Sequence, residues 1–208
     1  MNDYLREEIN GHVLEYYDES HMYFVDGVIV PSITTLLKKR FGNKYAGISK
    51  ETLNRAAERG TAVHEAIELM VKDGIDSDLP EVRNFRFLQR QYGFEVAGSE
   101  MPVILFKDDE PIAAGRFDLM LIMNGVVGGA DIKRTSTLDK EYVACQLNLY
   151  RIAVRQSYGI EWDFLRAIHL RENVRKFIEI PIDETMIQEF LEKENNDEQS
   201  DFEPRETC

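Results

Sequence analysis

Cysteine is nearly missing from this chain. Cys145 and Cys208 are the two it has. That excludes a disulfide framework and a cysteine-rich metal site, and points to a reducing, cytoplasmic compartment. No apolar run approaches the roughly 20 residues a membrane helix needs, so no membrane association is expected. The opening MNDYLREEIN is acidic and polar, unlike a secretory signal. There is no G-x-x-x-x-G-K-[ST] loop, so neither an ATP site nor a helicase motor is expected. Positive charge is in deficit as well: 25 Lys and Arg against 38 Asp and Glu give a formal charge of -13. Taken whole, that balance argues against nonspecific binding to a phosphate backbone.

The distribution of charge alters that expectation. Residues 1–37 hold seven acids and one base, and residues 192–208 hold seven acids and two bases, which leaves a net charge of only -2 on 38–191. Basic clusters sit in that middle section: Lys38-Lys39-Arg40, Arg55 with Arg59, Lys133-Arg134, Arg151 with Arg155, and Arg171 through Lys176. For each cluster a basic groove and a scatter of solvated charge are both open readings. The rest of the composition is ordinary: 43% hydrophobic and 30% charged residues in 208 suit a single domain with a real core, expected over 1–191.

Residues 10–30 alternate, are rich in Val, Tyr, Phe and Ile, and contain Asp26-Gly27, which predicts an N-terminal β-hairpin. Pro31-Ser32 opens a short helix through Arg40. Ser49 caps a longer one to about Lys72, closed by Gly74, and Pro80 starts a third, closed by Gly93. Strands are expected at 101–106, 113–123 and 126–133, then a helix at 139–158 and strands at 162–170 and 175–182. Asp183 caps a last helix to about Glu192, and 192–208 reads as an acidic, disordered tail. The order predicts an α/β fold with a central mixed sheet flanked by helices.

Asn124-Gly125 is the strongest local signal. A two-residue Asn-Gly loop favours a type I′ turn, which fixes the strand register. Met123 then faces Val126, Asp118 faces Asp131, and Arg116 faces Lys133, all four of the polar residues on one sheet face. Two facing carboxylates repel, and a divalent cation with oxygen ligands, Mg²⁺ or Mn²⁺, resolves the conflict. Lys133 beside them can act on a water or on a phosphate. The alternative is a pair of salt bridges from Arg116 and Lys133. A β-bulge at Gly128-Gly129 would shift the pairing and separate the acids.

The run GRFDLMLIMNGVVGGADIKRTS resembles the central motif of the PD-(D/E)XK nuclease superfamily, with Asp118 as first acid and Asp131-Ile132-Lys133 as its D-x-K. RGTAVHEAIE resembles the G-x-x-x-H motif of the RecB-like branch, through Gly60 and His64, and QLNLY its Q-x-x-x-Y motif, through Gln146 and Tyr150. Residues 17–37 are similar to the opening of phage and prophage nucleases of this branch. The resemblance covers most of 12–182. It implies a restriction-endonuclease-like fold with its catalytic core at 99–182, and a metal held by His64, Asp118, Asp131 and the Ile132 carbonyl. It further implies Lys133 acting on the attacking water, Gln146 and Tyr150 organising the site, and Glu100 as a candidate contributor. DNA is the implied substrate, a bacterial host cell the setting, and a single-strand annealing protein a companion of phage relatives. Some relatives carry a four-cysteine iron–sulfur cluster, which two cysteines exclude. The expected activity is Mg²⁺-dependent DNA hydrolysis, by an exonuclease of phage or prophage recombination or repair. A catalytically silent DNA-binding or assembly module and a restriction-type endonuclease are the alternatives.

Overall fold

Four tight turns set the strand pairings. Asn10-Gly11, Asp26-Gly27, Asp108-Asp109 and Asn124-Gly125 all have positive φ at both residues, the requirement of a two-residue I′ loop. The computed structural model describes residues 4–42 and 49–200. Strands β1 (Tyr4–Ile9), β2 (His12–Tyr17), β3 (Met22–Val25) and β4 (Val28–Val30) form an antiparallel sheet in that order. The expected hairpin is therefore a four-stranded sheet. Its first strand, YLREEI, escapes a reading of hydrophobic alternation because it is mostly polar and exposed.

The central sheet has the order β5 (Glu95–Lys107), β6 (Glu110–Met123), β7 (Val126–Lys133), β8 (Phe164–Arg171) and β9 (Val174–Ile180). β7 and β8 are parallel and the other neighbours antiparallel, so the sheet is mixed. Helix α4 (Lys140–Tyr158) makes the crossover between the parallel pair, as such a connection requires. Helices α1 (Ile33–Phe41) and α4 cover one face, where Leu36, Val143, Leu147 and Val154 pack with Val103, Leu105, Phe117 and Leu165. Helices α2 (Lys50–Asp73) and α3 (Pro80–Tyr92) cover the other, where Val63, Ile67, Phe85 and Leu88 pack with Leu119, Leu121, Ile132 and Ile168. The N-terminal sheet docks Leu14, Tyr16, Tyr23 and Val25 on Ile104 and Ala114. Among the described residues no helix is long and apolar enough to cross a membrane.

Helix α5 (Glu184–Ser200) is capped by Asp183, whose Oδ1 accepts from Met186 N–H at 2.9 Å. It runs past the expected end near Glu192, so the first part of the tail is helical. No Gly or Pro interrupts 184–200, and acidic composition alone does not break a helix. Residues 201–208 lie outside the described residues.

One irregularity positions the site. Phe117 packs on the α4 side, while Leu119 packs on the α2–α3 side. Regular alternation would put both on one face. β6 therefore rolls at Asp118. Gly128 and Gly129 form no bulge, since β6 and β7 stay in regular register from Met123↔Val126 to Leu119↔Ala130. They are glycines because the next layer is too close. A Cβ on Gly129 would lie 2.1 Å from the Trp162 ring, and one on Gly128 2.5 Å from Phe164. Gly129→Ala is expected to destabilise the fold by about 2–3 kcal/mol. Urea unfolding followed through Trp162, the chain's one tryptophan, checks this; an unchanged midpoint would contradict the packing described.

Candidate metal centre

The Asn124-Gly125 register holds as far as Leu119↔Ala130 and the ladder then ends. Beyond it the Asp118 carboxylate replaces a backbone acceptor: its Oδ2 takes the N–H of Ile132 at 2.6 Å. Asp118 thus lies across from Asp131, at the point where β6 leaves β7. Arg116 does not face Lys133. The roll at Asp118 sends it toward the N-terminal sheet, where its guanidinium lies 4.9 Å from the Tyr16 ring and its Nε 3.8 Å from Glu100 Oε2.

Glu100 lies on the other side of Asp118. β5 pairs with β6 through Ser99↔Leu119 and Met101↔Phe117, so Glu100 sits opposite Asp118. Its φ is +51°, a left-handed value that a glutamate in mid-strand rarely adopts. The strained residue joins Asp118 and Asp131 in a row of acids across three adjacent strands.

Burial and mutual repulsion govern their protonation. Asp131 is 2% exposed. Its pKa is pushed up to about 6, by burial first and by the Asp118 charge, against the pull of Lys133. Asp118 is likewise raised by burial, with His64 and Lys133 opposing. The Lys133 ammonium lies 2.8 Å from both Asp131 oxygens, but only Oδ1 receives a hydrogen bond of good geometry. Oδ2 stays buried without a hydrogen-bond partner. Burial works against the charge on Lys133, and the adjacent Asp131 outweighs it, so its pKa is raised. The end of β7 is pinned from two sides. Arg134 Nε donates to buried Glu81 at 2.8 Å, and the His169 ring nitrogen meets Thr135 O at 2.7 Å. His169 is therefore a buried anchor within its strand.

His64, on α2, reaches this row from the opposite layer. Its Nε2 lies 3.1 Å from the Ile132 carbonyl, and its Nδ1 3.7 Å from both Glu100 Oε1 and Asp118 Oδ2. Burial disfavours the imidazolium, but the Asp118 and Glu100 carboxylates overcome that and raise the pKa to about 9. In the neutral ring the Ile132 carbonyl holds the proton on Nε2, which leaves Nδ1 as a lone-pair donor facing the two carboxylates.

The α4 residues approach from the other side. Tyr150 is buried, and its pKa is raised well above the ordinary value by burial and then by Asp118. A Cβ on Gly115 would lie 3.1 Å from its hydroxyl, so the glycine admits the ring against β6. Gln146 is 4% exposed and its Oε1 has no hydrogen-bond partner. The structure thus brings His64, Asp118, Asp131 and Lys133 together with Tyr150 within reach of their charge. It gives Gln146 no partner at that oxygen.

Among the described residues, the group whose ligand atoms converge is His64, Glu100 and Asp118, with those atoms within 4.8 Å of one another. This differs from the set that the resemblance implies. Asp131 is engaged by Lys133, and the Ile132 carbonyl by His64, while Glu100 moves from a marginal candidate to the centre. One imidazole and two carboxylates are a donor set that could hold a metal ion. Glu100→Ala and Asp118→Ala should each weaken Mn²⁺ binding by at least roughly ten-fold in calorimetric titration. Unchanged affinity in Glu100→Ala would remove it from the ligand set.

No family model matches this chain, and no curated protein matches it. Among solved structures, that of SSO0001 is similar at 16% identity with a TM-score of 0.42, over 82% of this chain and 77% of that one. A likeness that loose carries no argument about function.

Proposed function

We propose that this chain is a metal-dependent deoxyribonuclease, an exonuclease acting on DNA ends. The observation that carries the reading is the row Glu100–Asp118–Asp131 with Lys133 at its end and His64 above it. Three partly or fully buried carboxylates in a line repel one another, a cost that their single contacts to the Ile132 N–H, Lys133 and Arg116 offset only in part. A phosphodiester hydrolase needs this concentration of negative charge, because a bound divalent cation lowers the pKa of water and offsets charge on the phosphoryl oxygens.

The chain's own groups have separable tasks. Asp118 and Glu100 offer oxygens and His64 offers Nδ1 toward one point. Asp131 holds the Lys133 ammonium. Lys133 donates to the attacking water, fixing its orientation, or to a non-bridging oxygen as the phosphate becomes pentacoordinate. Tyr150 closes the α4 side and excludes bulk water. The sequence resemblance to PD-(D/E)XK nucleases supports the same assignment, and a role in phage or prophage DNA recombination or repair is part of this proposal.

Linear duplex, linear single-stranded and closed circular DNA incubated with Mg²⁺ test the proposal. Linear DNA should be degraded, circles spared, and EDTA should stop the reaction. Lys133→Ala is expected to lower the rate by about 10²-fold or more. No hydrolysis of any substrate, or full activity in Lys133→Ala, would sink it; cleavage of circles would replace the exonuclease reading with an endonuclease.

A further inference from the structure

A cavity of about 510 Å³ opens directly beside Lys133. Its walls include Lys38 and Phe41 of α1, Thr135 and Leu138 after β7, and Tyr142 of α4. The rings of Phe41 and Tyr142 meet edge to face at 5.5 Å. The Thr135 hydroxyl oxygen is buried and has no hydrogen-bond partner. None of these features is needed to hold a cation or to activate water.

The combination is specific in chemistry. A groove that only tracks a phosphate backbone needs cations and a wet surface. This cavity has two lysines, two threonines and the helix-capping Asp139, and beyond them aromatic and aliphatic wall. Its volume falls within the range of about 300–1,000 Å³ typical of small-molecule pockets. A nucleobase presents the complement: flat π-faces for Phe41, Tyr142 and Leu138, and a polar edge for the exposed Thr137 on the same wall. Lys38 and Lys133, which both line the cavity, offer positive charge to the phosphate attached to that nucleotide. In a duplex the base is held in its stack and cannot enter.

Resting on the nuclease reading, we propose that this cavity receives the unstacked base of the nucleotide flanking the scissile phosphate, so the strand must be single or frayed where it is cut. A cleavable duplex end is one that opens by at least this base.

Short single-stranded oligonucleotides test this, each with 2-aminopurine at one position and a dye at the far end. They are titrated with the full chain in Ca²⁺ instead of Mg²⁺ to slow hydrolysis. Dye anisotropy reads binding, and 2-aminopurine emission reads the surroundings of the base. Emission should change severalfold more at one position than at the others. An abasic residue at that position should weaken binding roughly ten-fold. Thr137→Trp, at an exposed residue lining the same cavity, should abolish both effects while circular dichroism stays unchanged. Binding with uniform emission at every position overturns the proposal and leaves the nuclease reading intact. So does an abasic penalty that Thr137→Trp retains. Absence of binding by every oligonucleotide overturns both.

Discussion

Where the β6–β7 ladder ends, a side chain does the work of a backbone carbonyl, and the candidate site hangs on that exchange. Asp118 takes the Ile132 N–H, and the Ile132 carbonyl meets the His64 ring. The Ile132 side chain meanwhile sits in the core beneath α2 and α3. One residue anchored by apolar packing therefore sets the positions of two polar groups from different layers. The roll of β6 at the same point parts the strands, so that α2 and α4 reach the acids from opposite sides.

The cost of this arrangement is visible in the residues themselves. Glu100 keeps a left-handed backbone in the middle of a long strand, a conformation worth about 1–3 kcal/mol of strain. Burial and like charge push Asp131 toward protonation. Such features persist only where the surroundings over-determine them. Here pairing with β6 and the Arg116 guanidinium, itself over the Tyr16 ring, hold Glu100, and the Glu81–Arg134 pair fixes the strand end that carries Lys133.

Much of this was legible in the sequence, and the boundary of legibility is physical. The Asn124-Gly125 turn dictated a register that runs true for five residue pairs. It failed at Arg116 because periodicity assumes a flat ladder, and the ladder rolls at Asp118. Asp118, Asp131 and Lys133 were readable because their spacing is local to one hairpin, whereas His64 was marked only by the resemblance of its G-x-x-x-H run to a family motif. Glu100 was only marginal: its role depends on a positive φ, and no Gly or Asn advertises it. Strand β1 was hidden by its polar composition. The Gly128-Gly129 pair looked like a potential bulge, and the reason for it, the rings of Phe164 and Trp162, lies more than thirty residues away in sequence.

The parallel pairing of β7 with β8 has a consequence in time. β7 carries Asp131 and Lys133, but its outer neighbour begins at Phe164, after the whole of α4. On the emerging chain both strands of the β6–β7 hairpin, with Asp118 and Asp131, are complete before α4 begins. Only when α4 and β8 have left the ribosome can β7 be paired on both edges. The strand that carries Asp131 and Lys133 thus waits for more than thirty further residues before its second edge is covered.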